Sequence, residues 1–227
     1  GSNSPYPIEF VTISTFGNSQ DFGDLNQNLY WNAGSSSRTR GLINGGYNNV
    51  DTIQFVTIAS LGNAADFGNL TEGRFQLGAL SSQTRSIVVG GSSKDTMDFV
   101  EIATTGNAVD FGDLANPRFE MGCQSTSATR AVFGGGKTPT TVNTMEFITM
   151  ATKGNAQDFG DLTRTTYQVP SGVVSSPSRG LCVGGYPSPS LVIDAFEIAT
   201  TGNSVDFGDC ITSPNSGYAF SSGHGGL

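Results

Sequence analysis

The sequence predicts an all-β protein, a five-bladed β-propeller with four antiparallel strands per blade. Three observations carry that expectation. First, the motif Gly-Asn-x-x-Asp-Phe-Gly occurs five times, at 17–23, 62–68, 106–112, 154–160 and 202–208. Its aspartates Asp21, Asp66, Asp110, Asp158 and Asp206 stand 45, 44, 48 and 48 residues apart. A period of this length marks a repeat architecture, whose units cannot bury an apolar face alone and share one continuous core. Second, 31 of 227 residues are Gly, and the apolar residues fall in short β-branched and aromatic runs, which is how strands and turns are written. Third, each period holds four such runs, the strand count of a propeller blade. Residues 1–227 are therefore expected to form a single domain, with 1–4 partly linker and Gly1-Ser2 read as a tag-cleavage scar.

The first run of each unit is 8–13, matched by 53–58, 97–102, 145–150 and 193–198. Both parities carry apolar side chains, Ile8 and Phe10 on one side, Val11 and Ile13 on the other. The strand is therefore expected to be buried on both faces. Gly17-Asn18 and its equivalents, residues that accept positive φ cheaply, turn the chain into a hairpin leading to the Asp-Phe-Gly strand.

Within that second strand Phe22, Phe67, Phe111, Phe159 and Phe207 are the largest repeated apolar groups, read as wedges between units. The Gly after each leaves room for another backbone. The Asp of each motif is read as a structural hydrogen-bonding residue. Calcium is the competing reading, because a second Asp follows at Asp24, Asp113, Asp161 and Asp209; Asn69 breaks the set, the spacing is not that of an EF-hand loop, and no metal is expected. A kinase-type Asp-Phe-Gly is set aside, since five copies without a Gly-rich phosphate loop do not make one asymmetric site.

The third strand is expected at 29–33, 75–79, 119–123, 167–171 and 218–222. The fourth runs from an Arg to a Gly pair, at 40–46, 85–91, 130–136 and 179–185. Arg40, Arg85, Arg130 and Arg179 are read as ties to a carboxylate or carbonyl of a neighbouring unit. The chain opens on a first strand and closes on a third and fourth. One blade is thus expected to be shared between 6–25 and 216–227, closing the ring by pairing of the terminal strands and removing free sheet edges. An open β-solenoid is the alternative fold.

Composition also bounds function. A net charge of −8, with 11 scattered Lys and Arg, argues against a nucleic-acid partner, which needs clustered cations. Cys123, Cys182 and Cys210 each replace an apolar residue of the repeat, Cys210 standing where Leu25, Leu70, Leu114 and Leu162 stand, and are read as buried free thiols. No window approaches the roughly 20 apolar residues of a membrane span. His224 is the only His; no Ser-His-Asp or Cys/His constellation exists, so neither catalytic residues nor a cofactor are expected.

In an alternating sheet, the loops after Gly-Gly and after Asp-Phe-Gly share one face. These loops vary from unit to unit, and variable loops on a rigid scaffold are where binding resides. Trp31, Tyr47, Asn48, Lys94, Lys137 and Tyr186 are the candidate ligand-binding residues, against ordinary surface drift with Trp31 packed in its blade.

The order of strands, Gly-Gly ends and Arg-aromatic pairs (Arg74-Phe75, Arg118-Phe119) resembles the kelch repeat over nearly the whole chain. The wording GNxxDFGDL followed by SxxTRGxFGGG is similar to propeller-type repeats of marine bacteriophage structural and tail-associated proteins. That resemblance implies a virion-associated, host-adhesion setting, with a host surface glycan or protein and other virion proteins as partners. Three non-enzymatic readings follow: a host-recognition module that binds glycans, a kelch-like protein-binding adaptor, and a purely architectural repeat.

Overall fold

Each repeat folds as an up-and-down antiparallel sheet, because its apolar runs are joined by connections too short for a crossover. The structure is a computed structural model that describes residues 6–121, 123–167, 174–187 and 191–213. The first sheet pairs β1 (Pro7–Phe10) with β2 (Gln20–Asp24). The second is ordered β3 (Ala33–Ser36), β4 (Arg40–Gly46), β5 (Val50–Thr57), β6 (Ala65–Asn69). The third follows the same order with β7 (Gly78–Ser81), β8 (Arg85–Val89), β9 (Lys94–Glu101) and β10 (Val109–Arg118).

The fourth sheet inserts a ribbon, β13 (Lys137–Thr138) and β14 (Thr140–Thr141), into the run β11 (Cys123–Thr126), β12 (Arg130–Gly134), β15 (Thr144–Thr149), β16 (Gln157–Asp161). The fifth contains β17 (Arg179–Val183), β18 (Val192–Glu197) and β19 (Val205–Asp209), with Ser175 bridged to Gly180. The fold is thus all-β, and among the described residues there is no helix, hence none long and apolar enough to cross a membrane.

The expected third strand is displaced. β3, β7 and β11 begin three or four residues later than the sequence suggests, because Trp31, Gln76 and Glu120 take left-handed backbone (φ 53, 55 and 52°) that interrupts extension. The aromatic residue before each therefore belongs to a loop. Most of 167–171, all of 218–222 and the expected pairing with 216–227 lie outside the described residues.

The first-strand expectation holds in the third sheet, where Met97 on one side and Val100 and Ile102 on the other are buried, and fails in the first, where the equivalent Val11 and Ile13 are exposed because no described sheet packs on that side. The apolar core lies between consecutive sheets. Leu42, Ile53 and Phe67 of the second pack with Val88, Val100 and Ile102 of the third. Met97 and Phe111 of the third pack with Phe133, Ile148 and Met150 of the fourth, and Phe159 of the fourth packs with Phe196 and Ile198 of the fifth. The inner strands touch through small polar side chains, Ser35 Oγ lying 2.6 Å from Ser86 Oγ and Gln124 Oε1 accepting the Ala79 amide at 3.1 Å.

The motif that sets the period builds these junctions. In all five hairpins the pairing register shifts at the motif Phe: Ile53 pairs with Gly68 and Gln54 with Asp66, leaving Phe67 as the extra residue of a β-bulge. The bulge frees the Phe carbonyl from its own ladder. That carbonyl accepts the amide of the next sheet's motif Gly: Gly62 to Phe22, Gly106 to Phe67, Gly154 to Phe111 and Gly202 to Phe159, at 2.7–2.8 Å. The motif Asn completes the joint with its side chain. Asn63, Asn107, Asn155 and Asn203 Oδ1 accept the amides of Asp24, Asn69, Asp113 and Asp161 at 3.0–3.1 Å.

These Asn do not adopt the positive φ expected of them; the preceding Gly does, and the Asn oxygen is used across the junction instead. The Gly after Phe is the point of close approach. A Cβ on Gly23, Gly68, Gly112 or Gly160 would lie 2.3–2.5 Å from the facing Gly backbone.

Four junctions of this kind link the first sheet through to the fifth. Among the described residues the C-terminal half of the joint is unused: the Gly208 Cβ position meets nothing within 4 Å, unlike those of Gly23, Gly68, Gly112 and Gly160, and Phe207 is 57% exposed where Phe111 is 1%. Ile13 of the first sheet is likewise 92% exposed, whereas its counterpart Ile102 is 1%.

Candidate functional site

The Arg that opens the fourth strand is a scaffold residue. Arg40 Nη1 donates to the Ile102 carbonyl, Arg85 Nη1 to Met150 and Ala151, and Arg130 Nη1 to Ile198 and Ala199, at 2.7–3.2 Å, each reaching the following sheet. The same guanidinium groups lie 4.2–4.9 Å from the ring centres of Phe55, Phe99 and Phe147. Arg179 pairs with Glu197 instead. Phe22, Phe67, Phe111 and Phe159 are buried wedges, each edge-on to a Phe of the preceding strand.

The motif aspartates behave differently from the Phe beside them. All five side chains are exposed, and among the described residues only Asp206 accepts a hydrogen bond, from the Gly208 amide at 2.9 Å. No group of three or more His, Cys, Asp or Glu among the described residues is placed to hold a metal ion.

A second set of polar residues lies inside the sheets and was not read from the sequence. Gln54, Asp98, Glu146 and Asp194 occupy one position of the long strand and are buried. Each accepts the amide that follows the Asp-Phe-Gly strand, from Asn26, Thr71, Ala115 and Thr163. Asp98 and Glu146 also pair with Arg74 and Arg118, themselves fully buried. Burial pushes the Asp98 carboxyl up, with Arg74 opposing, and pushes both guanidiniums below their ordinary value. Sealed under the surface, these pairs organise loops rather than contact ligands.

The open surface lies where the sequence places variable loops. On every described unit the residue after Gly-Gly bonds the aromatic residue after the Asp-Phe-Gly loop: the amides of Tyr47, Ser92, Lys137 and Tyr186 reach the carbonyls of Tyr30, Phe75, Phe119 and Tyr167 at 2.8–3.0 Å. Adjacent units are joined by Gln76 N to Trp31 O and Glu120 N to Gln76 O, both 3.0 Å. The aromatic residue of each of these units is thus held by its backbone at the same loop position.

Two of the candidate ligand residues come together here. Trp31 (56% exposed) and Tyr47 (48% exposed) have ring centres 5.3 Å apart, and both meet Phe75, stacked on Trp31 at 5.7 Å and 27° and edge-on to Tyr47 at 5.9 Å. Lys137 and Tyr186 form a separate group about Tyr167, at 5.4 and 5.0 Å from its ring. Asn48 stands at an exposed turn with φ 66°. Its neighbour Asn49 lines a cleft of about 560 Å³ with Glu72, Phe75, Gln76, Ser92, Lys94 and Phe119. Of these only Lys94 is among the candidate ligand residues of the sequence. Phe75 and Phe119 were findable, because an aromatic recurs at 30, 75, 119 and 167.

No family model matches the chain, and no curated protein matches its sequence.

Proposed function

We propose that this chain is a non-enzymatic, virion-type recognition module that presents the aromatic loop face to a host surface glycan. The observation that carries the reading is the Trp31–Tyr47–Phe75 cluster beside a polar-rimmed cleft on a face held rigid by backbone bonds between units. Aromatic plates ringed by a few fixed polar groups are the usual lining of small-ligand sites. The wording of the repeat supports the bacteriophage and kelch-like setting.

The architecture in this reading is a closed five-bladed propeller. Four identical junctions support it, as do the complementary ends: a Gly-Asn hairpin at 17–18 and an unburied Phe207-Gly208. A ring satisfies the fifth junction and pairs 216–227 with the first sheet. Weak sugar contacts gain from such a rigid repeated surface, and more from oligomerisation, through effective concentration.

A kelch-like adaptor is the second reading, favoured by the contiguity of the exposed Trp31 and Tyr47 rings, which suit a protein hot spot. The purified domain applied to a glycan array and to host-cell envelopes separates the readings. Saturable glycan binding lost in Trp31→Ala or Tyr47→Ala supports the recognition module; protein capture without sugar binding supports the adaptor, and neither signal leaves an architectural repeat.

A further inference from the structure

We infer that the cleft between the second and third sheets is a saccharide site selective for uncharged sugars. The inference rests on the recognition-module reading and adds the place and the chemical class of the ligand.

A pyranose presents an apolar C–H face and a perimeter of hydroxyls that both donate and accept. Its site needs an aromatic plate and paired polar groups around it. Phe75 supplies the plate, immobilised by Trp31 stacked on it and Tyr47 at its edge, and Phe119 lines the same cleft. The perimeter holds Asn49, Glu72, Gln76, Ser92 and Lys94.

The Asn49–Ser92–Phe75 side of the cleft is held by contacts within the protein. Asn49, Gln76, Ser92 and Ser93 all take left-handed backbone, φ between 49 and 59°, a conformation that costs non-Gly residues energy and persists where surrounding contacts over-determine it. Those contacts are present: Ser92 N donates to Phe75 O at 3.0 Å, Phe75 N to Ser92 Oγ at 3.1 Å, and Ser92 Oγ to Asn49 Oδ1 at 3.1 Å.

Charge excludes acidic sugars. Lys94, the cation of the cleft, is paired with Glu72 at 2.9 Å, whose other oxygen accepts from Thr96 at 2.8 Å. An anionic ligand would have to break that pair against a chain of net charge −8. A neutral sugar uses both members as donor and acceptor. The equivalent region of the fourth sheet is different, carrying the β13–β14 ribbon and Lys137 over Tyr167.

The test is calorimetric and NMR titration with neutral oligosaccharides ending in glucose, galactose, mannose or N-acetylglucosamine, and with sialylated or sulfated counterparts. The expected result is saturable binding of at least one neutral sugar, at least about tenfold tighter than its charged counterpart. Phe75→Ala and, independently of any loss of fold there, Gln76→Ala should each weaken it about tenfold or more. Glu72→Gln, which frees Lys94, should narrow the preference against acidic sugars. Neutral-sugar binding unchanged in Phe75→Ala and Gln76→Ala overturns the site and leaves the module reading standing. A preference for acidic sugars in the unaltered protein overturns the selectivity, and absence of any saccharide binding overturns both.

Discussion

The Gly106 amide donates to the Phe67 carbonyl at 2.7 Å, and a Cβ on Gly68 would sit 2.3 Å from the Gly106 carbonyl oxygen. One sheet's bulged Phe-Gly is thus seated on the next sheet's Gly-Asn. Because a single motif carries both the plug and the socket, copying it in series joins sheets head to tail, and its Gly, Asn and Phe are accounted for by this joint.

Gly68→Ala should therefore be costly. It adds a methyl against backbone at φ 145°, where strain and overpacking together are worth about 2–5 kcal/mol. Gly34→Ala, at an ordinary β position with its nearest contact 3.9 Å away, should change stability by less than about 1 kcal/mol. Urea unfolding of the two variants measures the difference.

The buried Arg118–Glu146 pair offers a test with a natural precedent. In the second sheet, the corresponding positions hold Leu29 and Gln54, and Gln54 Oε1 still accepts the loop amide of Asn26 at 2.8 Å. Arg118→Leu alone should destabilise by about 3–5 kcal/mol by leaving a buried carboxylate unpaired. Arg118→Leu with Glu146→Gln should recover most of the loss, and a double-mutant cycle by chemical unfolding reads the coupling.

Arg130→Ala removes two hydrogen bonds to the next sheet, at 3.1 and 3.0 Å, and a stacked contact 4.2 Å from the Phe147 ring. The expected loss is about 1–3 kcal/mol. Arg130→Lys should recover only part of it, since one ammonium does not reproduce the planar stacking contact. Thermal melting compares the three proteins.

Glu72 should titrate below the usual carboxylate range, chiefly because Lys94 hydrogen-bonds its ionised form. A folded-state value below the unfolded one means a contribution to stability that is complete above the unfolded pKa and disappears as pH falls through the folded one. An NMR titration of the Glu72 carboxyl should give a low midpoint that moves up in Lys94→Ala.

Much of the scaffold was legible in the sequence because it is repeated. The period located all five sheets, Arg40, Arg85 and Arg130 were read as ties between units, and the buried Phe wedges and the Gly close approach followed from residue size. The bulge was not legible, since alternation alone cannot show that Phe67 lacks a cross-strand partner. Left-handed Trp31, Gln76 and Glu120 were missed for a related reason: nothing in those residue types announces positive φ, and the third strand was consequently placed too early. The Arg74–Asp98 and Arg118–Glu146 pairs were hidden because their positions change identity from unit to unit. On the loop face, variation pointed to Trp31, Tyr47 and Lys94, whereas Phe75 and Phe119 were passed over as repeat residues.

The central claim is that one joint, repeated, builds and closes the array. Amide hydrogen exchange at Gly17 tests it most directly, against Gly62, Gly106, Gly154 and Gly202, whose amides all donate across a junction. In a monomeric sample, a closed ring predicts that Gly17 is protected to a degree comparable with those four, by donation to Phe207. Free exchange at Gly17 while the other four remain protected would contradict closure.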